Sequence, residues 1–367
     1  MSLPASAPST LESARASYRA ISLYAPDRSP CAVDLSDNTN TWGVAPAVER
    51  AIREAPLSAV TRYPNLYAAA LKDALARYVG VEPSMIVTGC GSDDVLDSAI
   101  RAFAEPGDRI AFPDPSFAMI PIFARMNGLE PIPVPLTSAL DADADAMLAS
   151  EARIIYLCSP NNPTGNAMAR GTIERIVERA AGIVIIDEAY AEFAGPDCLS
   201  LARSSDRVLV TRTMSKAFGL AGLRVGYAVG GPTLVAEVEK SRGPYKVSAI
   251  AERAALAALG EGLEWALAQV SEAIANRERL VAALEERGIA TLPSLANFVL
   301  APVPHALERA KRMRARGVAV RPFEGLPPLV PSLGTTNGSA LRITVGPWAM
   351  IESVLDALDA TATEAAS

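Results

Sequence analysis

A lysine follows a strongly apolar run in the second half of the chain. Residues 208–210 are Val-Leu-Val, and Lys216 comes shortly after them among small and hydroxyl side chains. An arginine, Arg224, stands eight residues further on. A partly dry site favours the neutral amine of lysine, because burial disfavours the charged form. A neutral amine attacks a carbonyl carbon to form a Schiff base, so this segment predicts a reactive lysine.

Two other polar residues follow apolar runs in the same way. Asn162 follows the run 154–157, and Asp187 follows the run 183–186. In a parallel sheet, ligands collect at the carboxyl ends of the strands. Each residue alone has an ordinary explanation, since aspartate often caps a helix and Asn-Pro-Thr-Gly is a common turn. The convergence of Asn162, Asp187 and Lys216 on one edge instead predicts a shared binding site.

These residue types match the parts that pyridoxal phosphate chemistry requires. A lysine amine bonds the aldehyde carbon, and a carboxylate keeps the pyridine nitrogen protonated so that the ring accepts carbanion electrons. Lys216 and Asp187 can fill these two roles. Asn162 and Tyr190 are candidates to hold the phenolic oxygen, and Phe117 is the candidate to cover the ring.

The segment 89–94, Gly-Cys-Gly-Ser-Asp-Asp, is the candidate phosphate site. It leaves an apolar run and opens a helical pattern, and free amides at a helix N-terminus bind anions. Ser215 and Arg224 offer further phosphate contacts. The segment also resembles a dinucleotide-binding fingerprint, but Asp94 replaces the last glycine and no clear ribose-binding acid follows at the expected distance. A nicotinamide cofactor is therefore disfavoured.

Short apolar runs alternate with helical patterns along the middle of the chain, which predicts βα units and a mostly parallel sheet. The predicted strands there are 85–88, 109–112, about 130–135, 154–157, 183–186 and 207–211. Helical patterns cover 45–55, 67–79, a segment that opens at 89–94 and runs to about 104, a segment opening at 113–117, 234–240 and one long run at 249–287. The C-terminal part predicts strands at 297–300, 318–321 and 341–345, a helix at about 304–316 and a final helix.

Composition excludes several classes of protein. The formal net charge is −7 and no basic patch alternates with aromatic residues, so nucleic acid is not an expected partner. No apolar run approaches the roughly 18–20 residues of a membrane span. The four cysteines have no ligand spacing and indicate reduced thiols in a cytoplasmic protein. The only histidine, His305, lies among prolines, which disfavours histidine-based metal sites and Ser-His-Asp hydrolases.

As an ordered set, the motifs resemble the class II, fold-type I aminotransferases, and most of all the histidinol-phosphate aminotransferase group. The motifs that carry the resemblance lie at 62–64, 91–93, 159–165, 187–190, 215–224 and 341–346. The resemblance implies a homodimer with shared active sites, in which Tyr63 reaches the neighbour's cofactor phosphate. It also implies that Arg342 binds the anionic group of the substrate and that Arg321 assists when that group is a phosphate.

The resemblance completes the set of candidate site residues. The expected catalytic residues are Lys216, Asp187 and Tyr190. The expected cofactor-binding residues are Gly91, Ser92, Asp93, Phe117, Asn162, Asp187, Tyr190, Thr213, Ser215, Lys216, Arg224 and Tyr63. The expected substrate-binding residues are Arg342, Arg321, Asn38 and Trp42.

The implied fold is α/β. A large domain, residues 36–255, would carry a mostly parallel, seven-stranded type of sheet between helices, and residues 256–367 would form a smaller α+β domain. Residues 1–35 are expected to form an N-terminal arm, whose first 17 or so residues lack the apolar core of a signal peptide and are expected to be mobile.

Three departures from the family pattern lie at the substrate end of the expected site. The N-terminal motif is altered between Asn38 and Gly43, where Trp42 stands; Phe117 occupies a position that is often tyrosine; and the stretch from Arg321 to Arg342 is long and rich in proline and glycine. These departures bear on the choice of substrate and leave the expected binding of pyridoxal phosphate unchanged.

The expected reaction is transamination with 2-oxoglutarate, with Lys216 as the general base. The amino donor would be histidinol phosphate or an aromatic amino acid, whose flat ring suits Trp42 and Phe117. A pyridoxal phosphate decarboxylase of a phosphorylated amino acid, such as threonine phosphate, is the alternative within the same fold. A DNA-binding regulator built on this fold is disfavoured, because the N-terminal arm is short and not basic.

Overall fold

A computed structural model describes residues 13–19, 21–23, 27, 29–195 and 197–363. Residues 1–12 of the expected N-terminal arm therefore lie outside the described residues. None of the helices in the described ranges combines the length and apolar character needed to cross a membrane.

The described residues form twelve strands. They are Val33–Asp34 (β1), Ile86–Cys90 (β2), Arg109–Asp114 (β3), Glu130–Pro135 (β4), Ile154–Cys158 (β5), Ile183–Asp187 (β6), Val208–Thr213 (β7), Val225–Gly230 (β8), Phe298–Pro302 (β9), Val318–Ala319 (β10), Arg321–Phe323 (β11) and Ala340–Thr344 (β12).

The same residues form sixteen α-helices and two short 3₁₀ turns, Pro83–Met85 and Ala221–Leu223. The helices are Ala16–Arg19 (α1), Pro46–Arg53 (α2), Ser58–Thr61 (α3), Ala69–Val79 (α4), Gly91–Phe103 (α5), Ile120–Met126 (α6), Ala144–Ala149 (α7), Arg170–Arg179 (α8), Ala191–Ala194 (α9), Leu199–Ser204 (α10), Pro232–Arg242 (α11), Ala249–Leu259 (α12), Leu263–Glu285 (α13), Ala306–Ala315 (α14), Pro331–Thr335 (α15) and Trp348–Thr363 (α16).

A seven-stranded sheet in the order β2-β8-β7-β6-β5-β3-β4 lies at the centre of the fold. The neighbours from β7 to β4 pair in parallel, and β8 runs antiparallel to both of its neighbours. Strands β5, β6 and β7 are buried almost throughout, as continuous apolar runs predict for strands covered on both faces. The predicted α/β fold with a mostly parallel sheet is confirmed.

Strand β8 was not predicted, because its two glycines lower the strand signal. One of them, Gly226, is needed for packing. A Cβ there would lie 2.1 Å from the backbone nitrogen of Ser92. The missing side chain lets the first turn of α5 approach the sheet, which is where the candidate phosphate site lies.

The prediction of one long helix at 249–287 is wrong, because this segment forms two helices, α12 and α13. Gly260 ends α12, and α13 begins at Leu263. A Cβ at Gly262 would lie 2.9 Å from the Cβ of Ala45, so the connection passes too close to the N-terminal segment for a larger residue. The high alanine and leucine content on both sides hid this break from the sequence pattern.

The C-terminal region carries a smaller antiparallel sheet in the order β11-β12-β9. The predicted strand at 318–321 is instead two strands, β10 and β11. β10 pairs in parallel with β1, so the segment beginning at Val33 joins this region. β11 pairs with β12 so that Arg321 stands directly opposite Arg342.

The domain boundaries placed at 35/36 and 255/256 stay a prediction.

Candidate active site

The carboxyl ends of β5, β6 and β7 form one edge of the sheet. Cys158, Asp187 and Thr211 are partners in register across these strands. Lys216 follows the end of β7 by three residues, and Asn162 follows the end of β5 by four. The structure thus brings the three sequence-predicted strand-end residues to one place.

Lys216 is partly buried, and its Nζ lies 3.4 Å from the carbonyl oxygen of Asp37 and 5.9 Å from the ring centroid of Tyr190. Burial is the main cause that lowers the pKa of Lys216 from 10.5 to about 8, and the positive charge of Arg342 adds to it. The amine is therefore substantially neutral near pH 8, as the sequence predicted for a reactive lysine.

Asp187 is buried at the end of β6. Its Oδ2 accepts a hydrogen bond from the hydroxyl of Tyr156 at 2.8 Å, and its Oδ1 accepts one from the backbone N–H of Ala189 at 3.2 Å. Burial raises the pKa of Asp187 to about 6, and the Tyr156 hydrogen bond counteracts that rise. A buried carboxylate of this kind is stabilised by a cation placed against it.

Sequence reasoning missed Tyr156. It is fully buried inside the otherwise apolar strand β5. The only sequence signal was its type, because a buried tyrosine hydroxyl usually needs a hydrogen-bond partner. The identity of that partner depends on the pairing of β5 with β6.

The N-terminus of α5 forms a cradle with Arg224. Gly91 has φ +81°, and a Cβ there would lie 2.5 Å from Nη2 of Arg224. The same Nη2 donates to Oδ2 of Asp93 at 3.2 Å. The guanidinium group of Arg224 therefore lies against the first turn of α5, and a helix N-terminus beside an arginine is suited to binding anions.

The hydroxyl residues after β7 are linked to each other. Thr213 donates through its hydroxyl to the hydroxyl of Ser215 at 3.0 Å, and its Oγ1 accepts the Ser215 backbone N–H at 3.1 Å. Both residues are buried. This local turn fixes the chain just before Lys216.

Tyr190 and Asn38 meet across a long sequence separation. The Asn38 side-chain amide donates to the Tyr190 hydroxyl at 3.0 Å. Asn38 has φ +56°, and its backbone N–H donates to Oγ1 of Thr344 at 2.9 Å, while its carbonyl oxygen accepts from Asn297 at 3.0 Å. This network ties the N-terminal segment and the C-terminal sheet to the edge where Tyr190 lies.

Arg342 joins the C-terminal sheet to the same edge. Its Nη1 donates to Oδ1 of Asn162 at 2.6 Å, and its Nη2 donates to the carbonyl oxygen of Ser36 at 2.8 Å. The guanidinium carbon lies 5.3 Å from the ring centroid of Phe298. Arg321 is its partner in register on β11, which places two guanidinium-bearing residues side by side.

Trp42 also lies near the lysine. It lines a small cavity together with Lys216, Phe193 and Gln269. Its indole N–H is buried and has no hydrogen-bond partner among the residues that the structure describes. Gln269, on α13, is a cavity residue that sequence reasoning did not single out.

Phe117 and Tyr63 both lie in loops. The helix expected to open at 113–117 begins only at Ile120, and Phe117 is a partly buried loop residue that packs against the apolar cluster beneath α5. Tyr63 is 84% exposed, and its ring stacks on Tyr245 at 4.9 Å between centroids. The cofactor contacts expected of both stay predictions.

Comparisons with known proteins agree with this arrangement. The sequence pattern of the family described as aminotransferase class I and II matches residues 31–358. Over 319 residues the chain is 37% identical to an aromatic amino acid aminotransferase from Corynebacterium glutamicum strain R, a match that covers 84% of this chain and 92% of that protein. Over 286 residues it is 38% identical to a histidinol-phosphate aminotransferase from Caldanaerobacter subterraneus subsp. tengcongensis, covering 77% and 81%.

A solved structure shows the same fold. The crystal structure of histidinol-phosphate aminotransferase from Sinorhizobium meliloti in complex with pyridoxal-5'-phosphate matches with a TM-score of 0.85 and 25% sequence identity. The match covers 96% of this chain and 98% of that one.

The sheet and its match to the Sinorhizobium meliloti structure define a fold-type I pyridoxal phosphate enzyme, in which Lys216 follows β7 and Asp187 ends β6. The chain belongs to the aminotransferase class I and II family. Its activity is pyridoxal-phosphate-dependent transamination, and the decarboxylase alternative is not favoured.

Three observations show that the residues present fit this cofactor. Burial lowers the pKa of the Lys216 amine to about 8, Asp187 is a buried carboxylate suited to a cationic partner, and the space at Gly91 would be filled by a Cβ.

Proposed function

We propose that the chain transfers an amino group from histidinol phosphate or an aromatic amino acid to 2-oxoglutarate. The observation that carries the proposal is the position of Lys216 at the sheet edge where Asp187 ends β6, with the charges of Arg342 and Asp187 acting on its amine. The names of the relatives support both donor classes. The adjacent positive charges of Arg321 and Arg342 favour a substrate with an anionic group.

Each residue has a proposed role. When bound, pyridoxal phosphate supplies the electron sink that stabilises negative charge at the substrate Cα. Lys216 holds the cofactor and, once released, takes the proton from Cα on its Nζ. Asp187 would face the pyridine nitrogen and keep it protonated. Arg342 orients the carboxylate or other anionic group of the substrate.

The remaining cofactor contacts follow from the cradle and the strand ends. Gly91, Ser92, Ser215 and Arg224 would hold the phosphate, with Asp93 aligning Arg224 and Thr213 aligning Ser215. Asn162 and Tyr190 would hold the phenolic oxygen, and Phe117 would cover the ring. Asn38 positions Tyr190 through its amide.

A substrate panel tests the proposed donors. The cofactor-loaded enzyme is mixed with histidinol phosphate, phenylalanine, tyrosine or leucine, and the half-reaction is followed by the loss of absorbance of the lysine-bound cofactor. We expect rapid conversion by histidinol phosphate or the aromatic amino acids and slow conversion by leucine. Equal rates with all four donors would contradict the proposal.

Arg321→Gln separates the two donor classes. We expect kcat/KM for histidinol phosphate to fall about 10- to 100-fold, because a charge-assisted contact to the phosphate is lost, while the value for phenylalanine changes little. Arg175→Gln on α8, an exposed arginine paired with Asp145, is the matched control and should alter neither substrate. A parallel loss with both donors would remove Arg321 from phosphate recognition.

The chain is also proposed to act as a homodimer. Between residues 57 and 67 the surface exposes several large apolar side chains: Leu57 (84%), Val60 (74%) and Tyr63 (84%). Contiguous exposed apolar groups mark interaction surfaces. In the dimer, Tyr63 would reach the neighbour's cofactor phosphate. Location in the cytoplasm stays a prediction.

Sedimentation equilibrium tests the dimer. The purified chain is expected to sediment with the mass of two chains, and Val60→Asp should shift the equilibrium towards one chain by placing a charge in the contact. Leu267→Asp, at an exposed leucine on α13, is the control. A wild-type mass of one chain at micromolar concentration would refute the proposal.

A further inference from the structure

Tyr156 is buried directly beside Asp187. The two residues lie on neighbouring parallel strands, where Cys158 pairs in register with Asp187 and Tyr156 pairs with Ile185. Side chains two residues apart on a strand point to the same face, so Tyr156 and Asp187 share one face of the sheet. The hydroxyl oxygen lies 2.8 Å from Oδ2 of Asp187, and both side chains are almost completely buried.

This contact is of the strong, charge-assisted kind. A hydroxyl that donates to an ionised carboxylate makes a stronger bond than one between neutral groups. In a buried place, no water competes with it. The second oxygen of Asp187 accepts the backbone N–H of Ala189, so the carboxylate is fixed from two sides. Tyr156 thus supports both the orientation and the ionised form of Asp187.

We propose that Tyr156 is a positioning residue for the reaction, holding the Asp187 carboxylate ionised and oriented towards the pyridine nitrogen of the cofactor. The proposal rests on the role proposed for Asp187. Tyr156 itself lies within the apolar cluster beneath α5, so it acts through the carboxylate.

Other titratable groups also surround the Asp187 carboxylate. Five residues are coupled to the ionisation of Asp187 through charge or hydrogen bonding. They are Tyr156 and Cys158 from β5, Asp93 from α5, Tyr190 and Lys216. Asp93 opposes ionisation of Asp187, whereas Tyr156 favours it. Removing the Tyr156 hydroxyl leaves the other groups in place.

A double-mutant cycle on the cofactor-free protein tests the contact. The free energy of unfolding is measured between pH 4 and pH 8 for the wild type, Tyr156→Phe, Asp187→Asn and the double variant. We expect Tyr156→Phe to move the native titration of Asp187 upward by about one pH unit, as loss of a hydrogen bond to a charged group does. In the Asp187→Asn background, Tyr156→Phe should leave the pH dependence unchanged.

Tyr227→Phe is the matched control. Tyr227 is equally buried on β8, but it lies in the apolar cluster on the opposite face of the sheet, where the charge of Arg212 acts on its hydroxyl. The same loss of an oxygen there should leave the Asp187 titration in place. If Tyr156→Phe and Tyr227→Phe shift the pH dependence alike, or neither shifts it, the inference is overturned.

The loaded enzyme supplies the second readout. In Tyr156→Phe, the pH at which the bound cofactor's absorbance changes should shift, and cofactor affinity should fall about 3- to 10-fold. An unchanged cofactor spectrum and affinity would overturn the positioning role even if the contact exists. If instead Asp187→Asn leaves both properties unchanged, the proposed function of Asp187 fails, an outcome distinct from failure of the Tyr156 contact.

Discussion

Replacing Lys216 with alanine is expected to lower the rate of transamination by at least about 10⁴-fold, because one substitution removes both the covalent link to the cofactor and the general base. The absorbance of the lysine-bound cofactor should also disappear from the purified protein. Steady-state kinetics with 2-oxoglutarate and the best donor, together with the absorption spectrum, measure both effects.

The pH dependence of cofactor capture provides an independent check on the lysine. Because the pKa of Lys216 is about 8, the fraction of neutral amine rises about tenfold for each unit of pH increase up to pH 8 and levels off at higher pH. The rate at which the cofactor-free protein captures pyridoxal phosphate is expected to follow the same curve. An ordinary exposed lysine would continue to gain reactivity up to about pH 10.

Lys240→Ala is the control for this experiment. Lys240 is an exposed residue on α11 that pairs with Glu237. Its replacement should leave the rate, the spectrum and the capture curve unchanged. Full transamination by Lys216→Ala, or a Lys240→Ala variant that is equally impaired, would reject the assignment of Lys216.

The core of the candidate site could be read from sequence because its signals are local. Asn162, Asp187 and Lys216 each follow a continuous apolar run, and such runs indicate buried parallel strands whose ends share an edge. Gly91 was predicted as part of the phosphate site by a similar local signal, because it lies between a strand and a helix.

The supporting contacts could not be read in this way, because they depend on pairing between distant parts of the chain. Tyr156 contacts Asp187 only through the register of β5 and β6. Asn38 contacts Tyr190 and Thr344 across separations of 152 and 306 residues. No local pattern specifies such partners.

The errors in the fold have a common physical cause. Both errors involve glycines. In β8 the glycines lowered the predicted strand propensity, and between α12 and α13 the glycines did not outweigh the helical pattern on either side. At Gly226 and Gly262 the glycine is required because another segment approaches too closely for a Cβ. Close packing between elements therefore decides these positions, and it becomes visible only after the elements are assembled.

Replacing Asp187 with asparagine is expected to make the cofactor-free protein more stable and the enzyme much less active. Burial raises the pKa of Asp187 from 3.8 to about 6, so ionising it costs the folded state about 3 kcal/mol at pH 8. Asparagine keeps an acceptor for the Ala189 N–H and is never ionised. Without the carboxylate the pyridine nitrogen would lose the anionic partner proposed for it, and kcat should fall about 10²- to 10³-fold.

The sign of the pH effect makes the Asp187 prediction specific. Because the folded pKa lies above the unfolded value, the carboxyl's favourable contribution is fully present below about pH 4 and is lost as the pH rises through about 6. The stability gain of Asp187→Asn should therefore grow by about 2 kcal/mol between pH 4 and pH 8 in denaturant titrations. Asp359→Asn, at an exposed carboxylate on α16, should show no such growth. A gain independent of pH, or a loss of stability at pH 8, would show that Asp187 is not the buried carboxylate that the cofactor's positive ring nitrogen stabilises.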